Sequence, residues 1–192
     1  MTGRTVAIAH WRAQDRWGDD KCRLARADHG WLLVGHARFR DSNGFAALDY
    51  VLRCDENWHS LGADIAGLHD GADVSLRIER CDDGWQVNDS PQSGVGAVPD
   101  LDLGFTPATN LMPLRRLALQ QSDRLSLTAA WLDYPRNRLW PLDQVYARTG
   151  VYGRVAYSAA QTGHETVLEV DPSGLITLYP GLWEGEVINA AS

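Results

Sequence analysis

Asp100 and Asp102 stand two residues apart, and on an extended strand that spacing turns both side chains to one face. Two close carboxylates can divide acid and base roles, because each charge raises the other's pKa. The plainer reading is a solvated strand face or a pair of turn caps. Arg115 and Arg116 follow in the same stretch, near Thr106, Thr109 and Asn110 and among the apolar Leu103, Phe105, Met112 and Leu114. A guanidinium pair beside apolar surface suits a phosphate, carboxylate or sugar head group. The structural alternative is that the arginines bridge to Asp100 and Asp102 and fix a local helix.

The remaining reactive residue types form no local constellation. His10, His29, His36, His59, His69 and His164 include no His-x-His and no His-Glu-x-x-His, since His164-Glu165 lacks a second histidine four residues on. There is no Gly-x-Ser-x-Gly elbow, and Ser93-Gly94-Val95-Gly96 is not followed by the Gly-Lys-Ser/Thr of a phosphate loop. Cys22, Cys54 and Cys81 are odd in number and widely spaced, which argues against a disulfide framework and a zinc site. No cofactor and no metal are expected, and no catalytic residue is assigned. A small enzyme working on an apolar substrate by carboxylate or histidine acid–base chemistry stays as the alternative.

Aromatic content points instead to binding. Of eight tryptophans, Trp31, Trp58, Trp85 and Trp131, together with Tyr146, are the candidates for a ligand wall. Thr106, Asn110, Arg115 and Arg116 are the polar candidates. Ring faces suit acyl chains and sugars, and ligand pockets are mostly apolar with a few placed polar groups. Against this stands a tightly packed core with a few tryptophans at hairpin ends.

The elements that must position these residues are strands. Val74, Leu76 and Ile78 alternate with Ser75, Arg77 and Glu79, and Leu175, Thr177 and Tyr179 alternate with Ile176 and Leu178. Similar patterns cover 5–11, 21–27, 31–40, 45–54, 60–67, 84–88, 124–133, 138–147, 151–159 and 165–170. Asp28-His29-Gly30, Asp41-Ser42-Asn43-Gly44, His69-Asp70-Gly71, Asp82-Asp83-Gly84 and Asp171-Pro172-Ser173-Gly174 supply turn chemistry between them. Residues 90–99 read as a Gly-, Pro- and Ser-rich loop. Residues 109–119 read as one short helix, capped by Thr109 or Asn110, with Pro113 in its first turn. Leu114, Leu117 and Ala118 should then face inward, leaving Arg115 and Arg116 outside or at a rim. The fold class is mostly β: an antiparallel spiral roll or barrel-like sheet, one domain over 1–192, with 185–192 as a frayed end.

Charge sets limits on partners. The net charge is −7, with +4 over residues 1–40, −10 over 41–104 and −1 over 105–192. An acidic chain repels the phosphate backbone, so nucleic acid is not expected as a partner. No polybasic cluster suits an anionic bilayer, and no apolar run reaches the roughly 20 residues of a membrane span. The first eleven residues lack the apolar core of a signal peptide, so a cytoplasmic location is expected.

The segment Asp100-Leu101-Asp102-Leu103-Gly104-Phe105-Thr106-Pro107-Ala108-Thr109-Asn110-Leu111-Met112-Pro113-Leu114-Arg115-Arg116-Leu117 resembles the signature of a bacterial family described as putative glycolipid-binding. Weaker matches follow the same order: Tyr50-Val51-Leu52-Arg53-Cys54-Asp55 with Trp58, Asp143-Gln144-Val145-Tyr146, and Leu178-Tyr179-Pro180-Gly181-Leu182-Trp183. The resemblance implies a spiral β-roll around an apolar interior, akin to bacterial lipoprotein and glycolipid carriers. The combined expectation is a roll that binds a lipid or glycolipid-like amphiphile in its interior without catalysis. A protein–protein module, such as a homodimer through a sheet edge or a Trp-rich patch, is the other alternative.

Overall fold

The computed structural model describes residues 3–120 and 122–190. The first half contributes β1 (Arg4–Ala13), β2 (Gly18–Ala27), β3 (Gly30–Asp41), β4 (Gly44–Cys54), β5 (Ser60–His69), β6 (Ala72–Cys81), β7 (Gly84–Val87), β8 (Ser90–Pro91) and β9 (Asp100–Asp102). A 3-10 helix, Pro107–Asn110, leads into α1 (Leu111–Leu119). The second half contributes β10 (Arg124–Asp133), β11 (Arg138–Arg148), β12 (Arg154–Ala159), β13 (His164–Val170), β14 (Ile176–Tyr179) and β15 (Trp183–Asn189).

Among the described residues fifteen strands form one sheet, in the order β8-β7-β6-β5-β4-β3-β2-β1-β15-β14-β13-β12-β11-β10-β9. Each half is a meander of antiparallel hairpins, as the turn chemistry predicts. The halves join where β1 pairs with β15, Trp11 opposite Gly185. Residues 185–189, expected within a frayed end at 185–192, are held in a ladder because β15 extends the sheet from β14 to β1; 191 and 192 lie outside the described residues. The final pair, β9 on β10, is parallel.

The sheet is open, yet its margins approach one another. Ser60 donates its backbone N–H to the Pro99 carbonyl (2.8 Å), and its hydroxyl accepts from the Leu101 N–H (3.1 Å). The Leu139 N–H donates to Gln92 Oε1 (3.1 Å). No ladder closes a barrel among the described residues; the strands spiral past each other.

Helix and 3-10 turn occupy the centre of this spiral. Leu111, Met112, Leu114 and Leu117 belong to the same buried core as Trp11, Leu33, Phe39, Leu48 and Ile65. The expected hollow is thus filled by the chain's own residues. An amphipathic segment of nine residues is marginal alone, and burial on several sides stabilises it. Two details differ from expectation. Ala118 is exposed while Arg116 is buried, because the helix lies inside the roll and its Arg116 face meets β9. Thr106, rather than Thr109 or Asn110, supplies the side-chain cap, accepting from the Ala108 N–H (3.0 Å). Among the described residues no helix is long and apolar enough to cross a membrane.

Candidate functional site

Strand direction divides the connections into two ends of the roll. The β1–β2, β3–β4, β5–β6 and β10–β11 turns lie at one end; the β2–β3, β4–β5, β6–β7, β11–β12 and β13–β14 connections lie at the other. α1 runs toward the second end, where Arg148 Nη2 donates to the carbonyls of Leu117 (2.9 Å) and Gln120 (3.2 Å). A cation there also complements the negative pole of the helix.

Four of the sequence candidates meet at this end. Trp31 and Trp58 stack with ring centroids 4.2 Å apart. The Arg26 guanidinium lies 4.7 Å from the Trp31 ring, and that of Arg115 lies 4.9 Å from the Trp58 ring. Arg116 donates to the Trp58 carbonyl (2.7 Å). Trp58, in the connection before β5, adopts φ 64° and is buried.

The two adjacent arginines have opposite fates. Arg116 is buried and makes a two-bond ion pair with Asp100, at 2.8 and 2.6 Å. Half of the structural alternative is therefore met: Asp100 is engaged in fixing the helix. Arg115 does not reach Asp102. It is half-buried and donates only to the Ser173 carbonyl, at 3.3 Å, and its Nε has no partner among the described residues. Burial lowers the pKa of its guanidinium, with the nearby Asp171 charge acting the other way. Arginine stays charged through such a shift.

Arg115 lines an open cleft of about 450 Å³. Leu114 and Leu117 of α1, Val155 of β12 and Val170 of β13 give it apolar walls. Arg148 and Arg154 stand at its edge, the latter paired with Glu169 at 2.9 Å. Gly174 makes the close approach of Arg115 feasible. Its φ is +95°, and a Cβ there would lie 2.7 Å from Arg115 Cδ and 3.0 Å from Leu111 Cδ1. Asp171 Oδ1 holds this turn through the N–H groups of Ser173 (3.1 Å) and Leu175 (3.0 Å).

The other candidates lie elsewhere. Trp85 is buried and donates Nε1–H to the Val98 carbonyl (2.9 Å), anchoring the 90–99 loop. Trp131 is half-buried against Gly104. Tyr146 is fully buried and donates to Asn110 Oδ1 (2.8 Å), which ties β11 to the 3-10 helix. Burial holds the Tyr146 phenol well above its usual range. Thr106 donates its hydroxyl to Asp20 Oδ2, which also accepts from Tyr50 (2.8 Å). Burial pushes the Asp20 carboxyl up to about 6, against those two hydrogen bonds, which pull it down. Asp102 accepts from the Gly104 N–H (2.8 Å) and from Gln144 Nε2 (2.9 Å), so it serves the turn before the helix.

Sequence reasoning missed Asp20 and the cleft's β11–β14 wall. Asp20 was detectable as a carboxylate in register with the inward Cys22 and Leu24. The cleft wall had no such signal, because it gathers residues far along the chain from α1.

The family described as "Putative glycolipid-binding" matches residues 8–185. The chain belongs to this family. Its fold is also that of a crystal structure of a DUF1089 family protein from Pseudomonas aeruginosa, which is 27% identical, with a TM-score of 0.72. That match covers 86% of this chain and 91% of the other. No curated protein matches the chain.

Proposed function

We propose that this protein binds an amphiphile of the lipid or glycolipid type, without transforming it, in the cleft between α1 and the β11–β14 turns. The single observation that carries this is Arg115, a half-buried guanidinium with no carboxylate partner on the wall of an apolar cleft. Buried charges are normally paired, and an unfilled guanidinium beside aliphatic side chains suits an acidic head group joined to a hydrocarbon tail. A volume of about 450 Å³ lies within the usual range for small-molecule sites. The family description points to the same ligand class.

The location differs from the interior expected from the sequence. The tail would lie in the cleft that Leu114 and Leu117 border together with Val155 and Val170, beside α1, because the centre of the roll is already packed. Of the nine candidates, Arg115 lines the cleft, while Trp58 packs on its guanidinium and Trp31 stacks on Trp58 behind it. Arg116 supports it by fixing the helix, and Thr106, Asn110 and Tyr146 do so by anchoring the helix start. Trp85 and Trp131 have no part in it.

Titration with dodecyl phosphate below its micelle concentration, followed by isothermal titration calorimetry, tests the reading. Saturable binding at one site per chain, weakened about tenfold or more in Arg115→Met, is expected. Binding that is undiminished in that variant would overturn it.

A further inference from the structure

The outer margin of β6 is only partly paired. β7 lies against it over Ile78–Cys81, and the chain then turns away at Asn88, whose φ is 47°. Asn88 carries the ladder one step further, with its side chain in the place of backbone. Its N–H donates to the Arg77 carbonyl (2.8 Å), its Oδ1 accepts from the Arg77 N–H (2.7 Å), and its Nδ2 donates to the Ser75 carbonyl (3.1 Å).

Those bonds fix which main-chain groups of β6 face outward. In an antiparallel ladder, alternate residues turn their N–H and C=O to opposite sides. Arg77 and Ser75 turn theirs away from β5, so Asp73 does the same opposite Leu68. Val74 and Leu76 turn theirs toward Gly67 and Ile65 of β5. The Ser75 N–H and both main-chain groups of Asp73 have no hydrogen-bond partner among the described residues. Asp73 and Ser75 are exposed, so an outside chain can reach these groups.

An open cleft of about 390 Å³ lies along this margin. Asp73, Val74, Ser75 and Leu76 line it from β6, and Tyr134 and Pro135 line it from the β10–β11 turn. Asp70 and Asp73 are the carboxylates in its lining, and no lysine or arginine lines it. Two arginines close by in sequence are already engaged, Arg77 with Glu79 (2.7 Å) and Arg136 with Asp133 (3.2 Å).

We infer that the β6 margin is a docking edge for an extended segment of a partner protein. The segment alternates basic and apolar residues and adds as a strand beside Asp73 and Ser75. Main-chain pairing supplies affinity in such an addition, and alternate side chains supply specificity. Residues opposite Asp73 and Ser75 share their outer face, where a lysine or arginine meets the Asp73 carboxylate. The residues between them face the cleft side, against Val74 and Leu76. The net charge of −10 over residues 41–104 attracts a basic segment. A second copy of this chain fits poorly, because antiparallel pairing of two β6 margins sets aspartates on the same face.

Amide hydrogen exchange on the intact protein, read by NMR, tests this with acetylated and amidated Lys-Val-Lys-Val-Lys. At saturating peptide the Asp73 and Ser75 amides should slow about tenfold or more, while those of Val74 and Leu76, already bonded to β5, change little. That alternation separates strand addition from contact through side chains alone. Asp73→Lys, at an exposed position, should weaken binding about tenfold at low ionic strength. No slowing at those two amides, or equal slowing with Glu-Val-Glu-Val-Glu, would overturn the inference. Slowing that grows with protein concentration in the absence of peptide would also overturn it, by making a second copy the occupant.

Discussion

Arg116 and Asp100 form a buried, two-bond ion pair, while Arg115, the next residue along the chain, has a single 3.3 Å bond to a carbonyl. The first arginine fixes α1 against β9; the second is left facing the cleft. On a helix, neighbours in sequence point about 100° apart, so one can be sealed in the core while the other reaches a rim. This division of labour makes the helix both a core element and one wall of a site.

Removing one member of that pair should be far more harmful than removing both. Asp100→Asn or Arg116→Met alone leaves a buried charge unmatched and should cost about 3–5 kcal/mol in urea unfolding. The double variant should recover a large part of that loss. Equal destabilisation in the single and double variants would show that the pair does not act as a unit.

Asp20 should make stability fall as pH rises. Its folded carboxyl titrates near 6, above the ordinary aspartate value, because burial opposes ionisation. The folded state therefore holds this proton where the unfolded state has released it. The contribution is fully present below about pH 4 and lost as pH rises through about 6, with a total of about 3 kcal/mol. Urea unfolding of the wild type and Asp20→Asn across that window checks it: the difference between the two should shrink or reverse as pH rises, and the slope should disappear in the variant.

The filled interior predicts large cavity costs. Leu111 and Met112 are at most 1% exposed and surrounded by strand side chains. Truncation of either to alanine should cost about 2–5 kcal/mol. A hollow roll would tolerate the same changes with little loss, so thermal or urea unfolding separates the two descriptions.

Gly174→Ala should damage the cleft more than the fold. The added methyl would press on the Arg115 stem and hold a strained backbone, costing about 1–3 kcal/mol. Displacing the guanidinium should weaken dodecyl phosphate binding alongside Arg115→Met. An unchanged affinity would mean that Arg115 does not contact the head group.

Much of the fold was legible because period-2 alternation and Asp/Asn-Gly turns are local signals. Residues 31–40 and 45–54 fall within β3 and β4 almost residue for residue. Boundaries slipped where a turn takes strand-like residues: Val151 and Tyr152 precede β12, since Gly150 and Gly153 both adopt positive φ. The placement of α1 inside the roll was not legible. Its apolar residues fix which sides are buried, but not that nine strands of one half and six of the other curl around it. The site was half legible for the same reason. Arg115 and Trp58 stood out by type, whereas Leu117, Val155 and Val170 become a wall only through long-range contact.

In the proposed complex a hydrocarbon tail lies in the cleft beside α1 with its head group at Arg115. Amide NMR with a nitroxide-labelled stearic acid measures this directly, because the spin label broadens signals near the tail. Broadening centred on Leu114–Ala118, Val155 and Val170, reversed by unlabelled stearic acid and reduced in Arg115→Met, is the predicted result. Broadening centred on Leu33, Leu48 and Ile65 inside the roll, or on the turns of the opposite end, would contradict it.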